Sequence, residues 1–251
     1  MRLQKRVVLF LLLFILIIGG TGCMSSSSAS TEEKIIKHLE DKYNEKFEVE
    51  AVDQGSEAFA NMYGKDKFVL HPEGNSDVVF IAEEKSDEED VYLDNYLAAK
   101  WGEELKADLA DEIENYIPVD SEYKVLVYPY SDLNASLKDM SIQDFLANDK
   151  DVRIALVAGV KVEGEPDVSQ YSEGVYQLYE LIKGLGTSQY TISVGFVENS
   201  EDISDYIRTS YVNNTPWTNL ALKVYGEINV DDRYDTVTPQ IVEESYQTIE
   251  E

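Results

Sequence analysis

The sequence predicts an α+β fold, and three observations carry that prediction. After residue 30 a helical apolar period gives way to three short strand-like runs. Apolar residues then recur every fourth position from 93 to 117. Beyond Pro118, strand-like and helical segments alternate to the end of the chain. Apolar residues make up 43% of the 251, enough to build a packed core and to exclude a globally disordered chain. The expected architecture is an N-terminal helix on a small antiparallel sheet, a long linking helix, and then an alternating strand/helix unit with a mixed sheet. The expected divisions are a signal peptide at 1–22, a lipidated flexible tether at 23–30, an N-terminal unit with its linking helix at 31–117, and a C-terminal α/β-type unit at 118–251.

The first helix is signalled by Ser30 with Glu33 three residues on, a capping-box pattern. Ile35, Ile36, Leu39, Tyr43 and Phe47 follow near helical spacing, and the helix is predicted to end near Lys46. Strands are predicted at 47–52, 67–71 and 78–82, separated by turn formers such as Pro72-Glu73-Gly74-Asn75. This stretch, 31–82, resembles the small PepSY-type domains of bacterial envelope proteins, which also open with a helix ending in a Tyr- and Phe-containing segment followed by strands. Residues 83–90, EEKSDEED, form a charge run and are predicted to be an exposed loop.

The linking helix carries Leu93, Leu97, Trp101, Leu105, Leu109, Ile113 and Ile117 at strict four-residue spacing. Each step turns ~40° around a helix, so the ladder sweeps ~240°, more than one straight amphipathic stripe can bury. The helix therefore either breaks near Gly102 or buries different faces at its two ends. Beyond Pro118, strands are predicted at 123–128, 152–162, 190–197 and 220–230. The 152–162 segment (VRIALVAGVKV) is the most apolar and is expected to be central. Helices are predicted at 141–146, after an Asp167 cap through Tyr171, Val175, Leu178, Ile182 and Leu185, around Ile203, Tyr206 and Ile207, and from Thr238-Pro239. Gly184 and Gly186 read as the C-terminal cap of the second of these.

The amino terminus states an address. Arg2, Lys5 and Arg6 precede an uncharged apolar run from 7 to 18, which small residues end. That is the build of a signal peptide, and it falls short of the ~20 apolar residues of a membrane-spanning helix. Gly20-Thr21-Gly22-Cys23 resembles a bacterial lipobox. The resemblance implies that Cys23, the single cysteine, receives a diacylglyceryl group and becomes the first mature residue. Gly20 stands where the family usually has an aliphatic residue. The membrane is then a partner through the lipid anchor at Cys23, with the protein facing outside, and the short serine tether suits a Gram-positive envelope.

With no second cysteine there is no disulfide framework. Removing a segment that holds three cations takes the formal charge of −28 to −31. Such a polyanion repels nucleic acid, which excludes that class of partner. Metal chemistry has little to work with: His38 and His71 are the only histidines, and both are expected at the surface. The acidic run 83–94 lacks the residue order of an EF-hand, so a solvated loop is favoured over a calcium site. No cysteine nucleophile remains once Cys23 is lipidated, no nucleophile elbow is present, and no cofactor is implied. No catalytic or metal-binding residue is assigned. The expected function is a non-enzymatic binding or accessory module of the cell envelope, with an unknown envelope protein or component as partner. The alternative is an extracytoplasmic hydrolase using carboxylates alone, which would show two facing acids of raised pKa in a cleft.

Overall fold

A computed structural model describes residues 26–55, 65–213 and 215–249. The segment 1–22 and Cys23 lie outside them. The fold is mixed α+β, built on a four-stranded antiparallel sheet that follows an N-terminal helix and on a five-stranded mixed sheet.

The first sheet is a meander of β1 (Phe47–Asp53), β2 (Lys67–Pro72), β3 (Phe80–Glu84) and β4 (Tyr92–Asp94), preceded by α1 (Ser26–Tyr43). The helix starts at Ser26, so Ser30 lies inside it and is not its cap. Serine is only a moderately poor helix former, and lengthening an existing helix needs no new nucleus. The helix stops at Tyr43, short of Lys46, because Asn44 turns left-handed at φ 57°. Ile35, Leu39 and Tyr43 pack on the alternating inward residues Phe68, Leu70, Phe80 and Ala82. The acidic run divides: Glu83 and Glu84 end β3, while 86–91 form the exposed turn into β4.

Leu93 belongs to β4 and is exposed, so the linking helix begins later than its ladder implied, as α2 (Tyr96–Asp108) and α3 (Ala110–Tyr116). The break falls at Leu109, whose φ and ψ of −102° and 4° leave the helical region, and not at Gly102. Gly102 serves a different purpose. A Cβ there would stand 2.7 Å from the Val125 carbonyl oxygen, so only glycine lets α2 approach the strand that follows this closely. The drifting ladder does bury two faces: Tyr96 and Leu97 join the first core, while Trp101, Leu105 and Ile113 join the second.

The second sheet runs in chain order: β5 (Glu122–Pro129), β6 (Val152–Val162), β7 (Gln189–Glu198), β8 (Val224–Asp231) and β9 (Tyr246–Thr248). Only β6 and β7 pair in parallel, which requires a crossover, supplied by α5 (Ser172–Lys183). The most apolar strand, β6, is interior as expected, but β7 is the middle one. Ile154, Leu156 and Ala158 of β6 face Val175, Leu178 and Ile182 of α5 in the main core, together with α4 (Ile142–Asn148) and α8 (Pro239–Glu244). On the opposite face Gly159 and Gly195 admit Ile203 and the Trp217 ring, next to the short helices α6 (Ser204–Arg208) and α7 (Ser210–Asn213). Asp167 caps a 3₁₀ turn, Val168–Gln170, and α5 starts only after Tyr171. The strand predicted from 220 starts at Val224, because Leu220 closes a 3₁₀ turn (Trp217–Asn219) and packs with Leu222 around Trp217.

Candidate functional site

Five separate segments converge on a cleft of about 490 Å³ between the two sheets. The loop before β3 brings Asp77, α2 brings Glu103 and Lys106, and α3 brings Glu114. The start of β5 brings Ser121 to Lys124, and α6 brings Asp205 and Arg208. Lys124 shows how the fold positions this site. Val125 and Val127 of β5 look into the main core, so the alternation of a strand turns Lys124 the other way, toward the first sheet. Its side chain is 4% exposed, and its ammonium donates to the Asp77 carbonyl oxygen at 2.8 Å. It also meets Glu103 Oε1 at 2.8 Å, an ion pair without the angle of a hydrogen bond. Burial pushes the Lys124 pKa down, and the Glu103 carboxylate opposes that shift.

Lys106 Nζ sits 3.8 Å from Glu103 Oε2 and 5.5 Å above the Tyr123 ring centroid. The Tyr123 hydroxyl donates to Glu114 Oε1 at 3.3 Å, and burial first, then that carboxylate, pushes its pKa up to about 12. Arg208 closes the rim. Its guanidinium forks onto the Glu50 carboxylate of β1, with Nη1 to Oε2 at 2.9 Å, donates to the Ser76 carbonyl oxygen at 3.0 Å, and reaches Asp205 Oδ1 at 2.7 Å. These hydrogen bonds raise the Arg208 pKa and lower that of Glu50. Two buried side-chain polar atoms have no hydrogen-bond partner among the described residues, Glu103 Oε1 and Ser121 Oγ, and both belong to residues of this cleft.

The residues weighed from sequence lie elsewhere. Cys23 falls outside the described residues. Neither histidine is a plain surface residue. His38 is half-buried with its ring 5.1 Å from that of Tyr92, and the His71 side chain is 14% exposed with Nδ1 3.0 Å from the Pro72 carbonyl oxygen. Carboxylates of the acidic run are engaged by lysines: Glu84 by Lys65, Asp87 and Glu88 by Lys85, and Asp90 by Lys34. Gly184 caps α5, and Gly186 follows it at φ 70°. Among the described residues no group of three or more His, Cys, Asp or Glu is placed to hold a metal ion. No helix among them is long and apolar enough to cross a membrane. No contiguous motif marks the cleft in the sequence, and its one local signal is Lys124 directly ahead of the apolar run 125–127.

No family model matches the chain, and no curated protein matches it. Among solved structures, the crystal structure of a DUF5037 family protein from Ruminococcus gnavus ATCC 29149 is similar at 12% identity and a TM-score of 0.46. The match covers 85% of this chain and 97% of that one.

Proposed function

We propose that the protein is a membrane-anchored extracytoplasmic lipoprotein, held through Cys23, which acts as a non-enzymatic binding module of the cell envelope and takes a small polar ligand in the cleft between its sheets. The observation that carries the reading is the unspent hydrogen-bonding capacity of that cleft. An unsatisfied buried polar atom costs ~1–3 kcal/mol, and Ser121 Oγ of this site is one, while Glu103 Oε1, without a hydrogen bond of good angle, has the Lys124 ammonium 2.8 Å away. A ligand that bonds Ser121 Oγ recovers that cost.

Two measurements test this. Metabolic labelling with a fatty acid, followed by membrane fractionation, should label the wild type and not Cys23→Ser; equal label in both overturns the anchor. A thermal-shift panel of amino acids, amines and neutral saccharides should give a gain that Tyr123→Ala abolishes. Mass-spectrometric detection of any panel compound being cleaved overturns the non-enzymatic reading.

A further inference from the structure

We propose that Arg153 is a hook for a carboxylate on a partner protein, borne by a peptide segment with one exposed Asp or Glu. The chain has 49 acidic residues against 21 basic ones, and Lys37, Lys67 and Lys150 share with Arg153 the lack of a carboxylate partner among the described residues, Arg153 being the one arginine of that group. Arg208 is held by Glu50 and Asp205, and Arg233 by Asp231. Arg153, exposed on β6, makes no ion pair among the described residues. Its guanidinium carbon lies 4.4 Å from the centroid of the Tyr128 ring. Tyr128 is stacked in turn on Tyr211 at 5.1 Å, and the Tyr211 hydroxyl is anchored on the Val127 carbonyl oxygen at 3.1 Å.

A guanidinium resting on a ring keeps its N–H groups at its edge, in the fork that matches a carboxylate. The stack holds the side chain in place, so less rotamer freedom is lost when an anion arrives. Tyr128, Arg153 and Gln189 are register partners across β5, β6 and β7 and form one row. Gln189 Oε1 accepts from the hydroxyl of Tyr130, a residue 54% exposed, and the amide can still donate beside the fork. Arginine and tyrosine in one row match the composition of protein-interface hot spots, and the neighbouring Gln189 amide has the donor and acceptor that a peptide bond requires. Charge selects the occupant. A body at −28 repels a polyanion at long range, so the row suits an isolated carboxylate on a near-neutral peptide rather than nucleic acid or an acid-rich tail.

The chain holds five arginines, so selective ¹⁵N-arginine labelling of the full-length protein in detergent gives a readable Nε–Hε spectrum. The probes are an acetylated, amidated Ala-Ala-Glu-Ala-Ala peptide, its Gln counterpart, inorganic phosphate and glucuronate, at fixed ionic strength. The Arg153 signal should shift saturably with the Glu peptide and not with the Gln peptide. Arg153→Lys should weaken that peptide's binding, read by peptide-observed relaxation, about fivefold or more, because the two-pronged contact is lost. Tyr128→Leu should weaken binding while the Arg208 and Arg233 signals hold still, which separates a loosened hook from a misfolded chain. No response to the Glu peptide overturns the proposal, as does binding that survives Arg153→Gln. An equal response to phosphate marks a general anion site, and a stronger one to glucuronate marks a saccharide site; either result overturns it too.

Discussion

At Gly102 the approach of α2 to β5 is limited by a hydrogen atom where any other residue carries carbon. The Val125 carbonyl that a Cβ would strike is backbone in the middle of a paired strand and has nowhere to go. Gly102→Ala should therefore cost ~1–3 kcal/mol through overpacking, despite alanine's better helix propensity, read as a lower denaturant midpoint at unchanged slope. His38 makes a pH-dependent contribution. Burial, more than the neighbouring Lys42, holds its pKa below 6.5, so the folded state binds the proton less readily than the unfolded chain. Its contribution is complete above pH ~6.5 and declines as the pH falls through that value toward the lower folded pKa. Melts between pH 7 and 5.5 should fall more steeply for the wild type than for His38→Gln; parallel curves would refute the assignment.

Among the elements, α8 offers a clean test of local sequence code. Thr238 is extended, its hydroxyl accepts from the Ile241 amide at 3.3 Å, and Pro239 opens the first turn. Thr238→Ala should cost ~1 kcal/mol, measured by chemical denaturation, with Thr238→Ser near neutral. Such a start signal is chemical and short-range, but it is not sufficient: Ser30 with Glu33 has the same chemistry and lies inside α1, and Ser141, expected as the first helical residue, is instead the cap of α4. Long periodic elements were readable: β6 matches its predicted bounds, and α5 presents the expected stripe. The three-residue strands β4 and β9 were not, because three residues show no alternation and form only where a neighbour pairs with them. Leu220 and Leu222 misled because an apolar pair reads alike whether it sits in a strand or around a tryptophan. The cleft stayed hidden because its residues come from five segments between Asp77 and Arg208, and no local pattern marks their meeting.

For the molecule as a whole, charge and the contacts between the two sheets decide behaviour. Arg208 ties α6 to β1 through Glu50 and to the next loop through Ser76, and Lys124 ties β5 to that same loop through Asp77. The Arg208 pairs are partly open to solvent, so Arg208→Ala should cost only about 1 kcal/mol or less. It should nevertheless speed amide hydrogen exchange in β1 and residues 76–80 while leaving β6 and β7 unchanged, because the substitution frees one sheet without disturbing the other's core. A formal charge of −28 for the chain, −31 once the three cations of 1–22 are removed, also predicts a Tm that rises as sodium chloride goes from low to physiological levels; a flat response would mean that the ion pairs already offset the repulsion. Both sheets list their strands in chain order, and that has a consequence for assembly. Each strand needs only the one made before it, with the short crossover through α5 as the single detour. No strand near the amino end waits for a strand from the carboxyl end, while the ties through Arg208 and the packing of Tyr211 come later. A chain fed through a narrow pore from its amino end can thus lay down its sheets in step with its emergence, without holding long apolar strands unpaired.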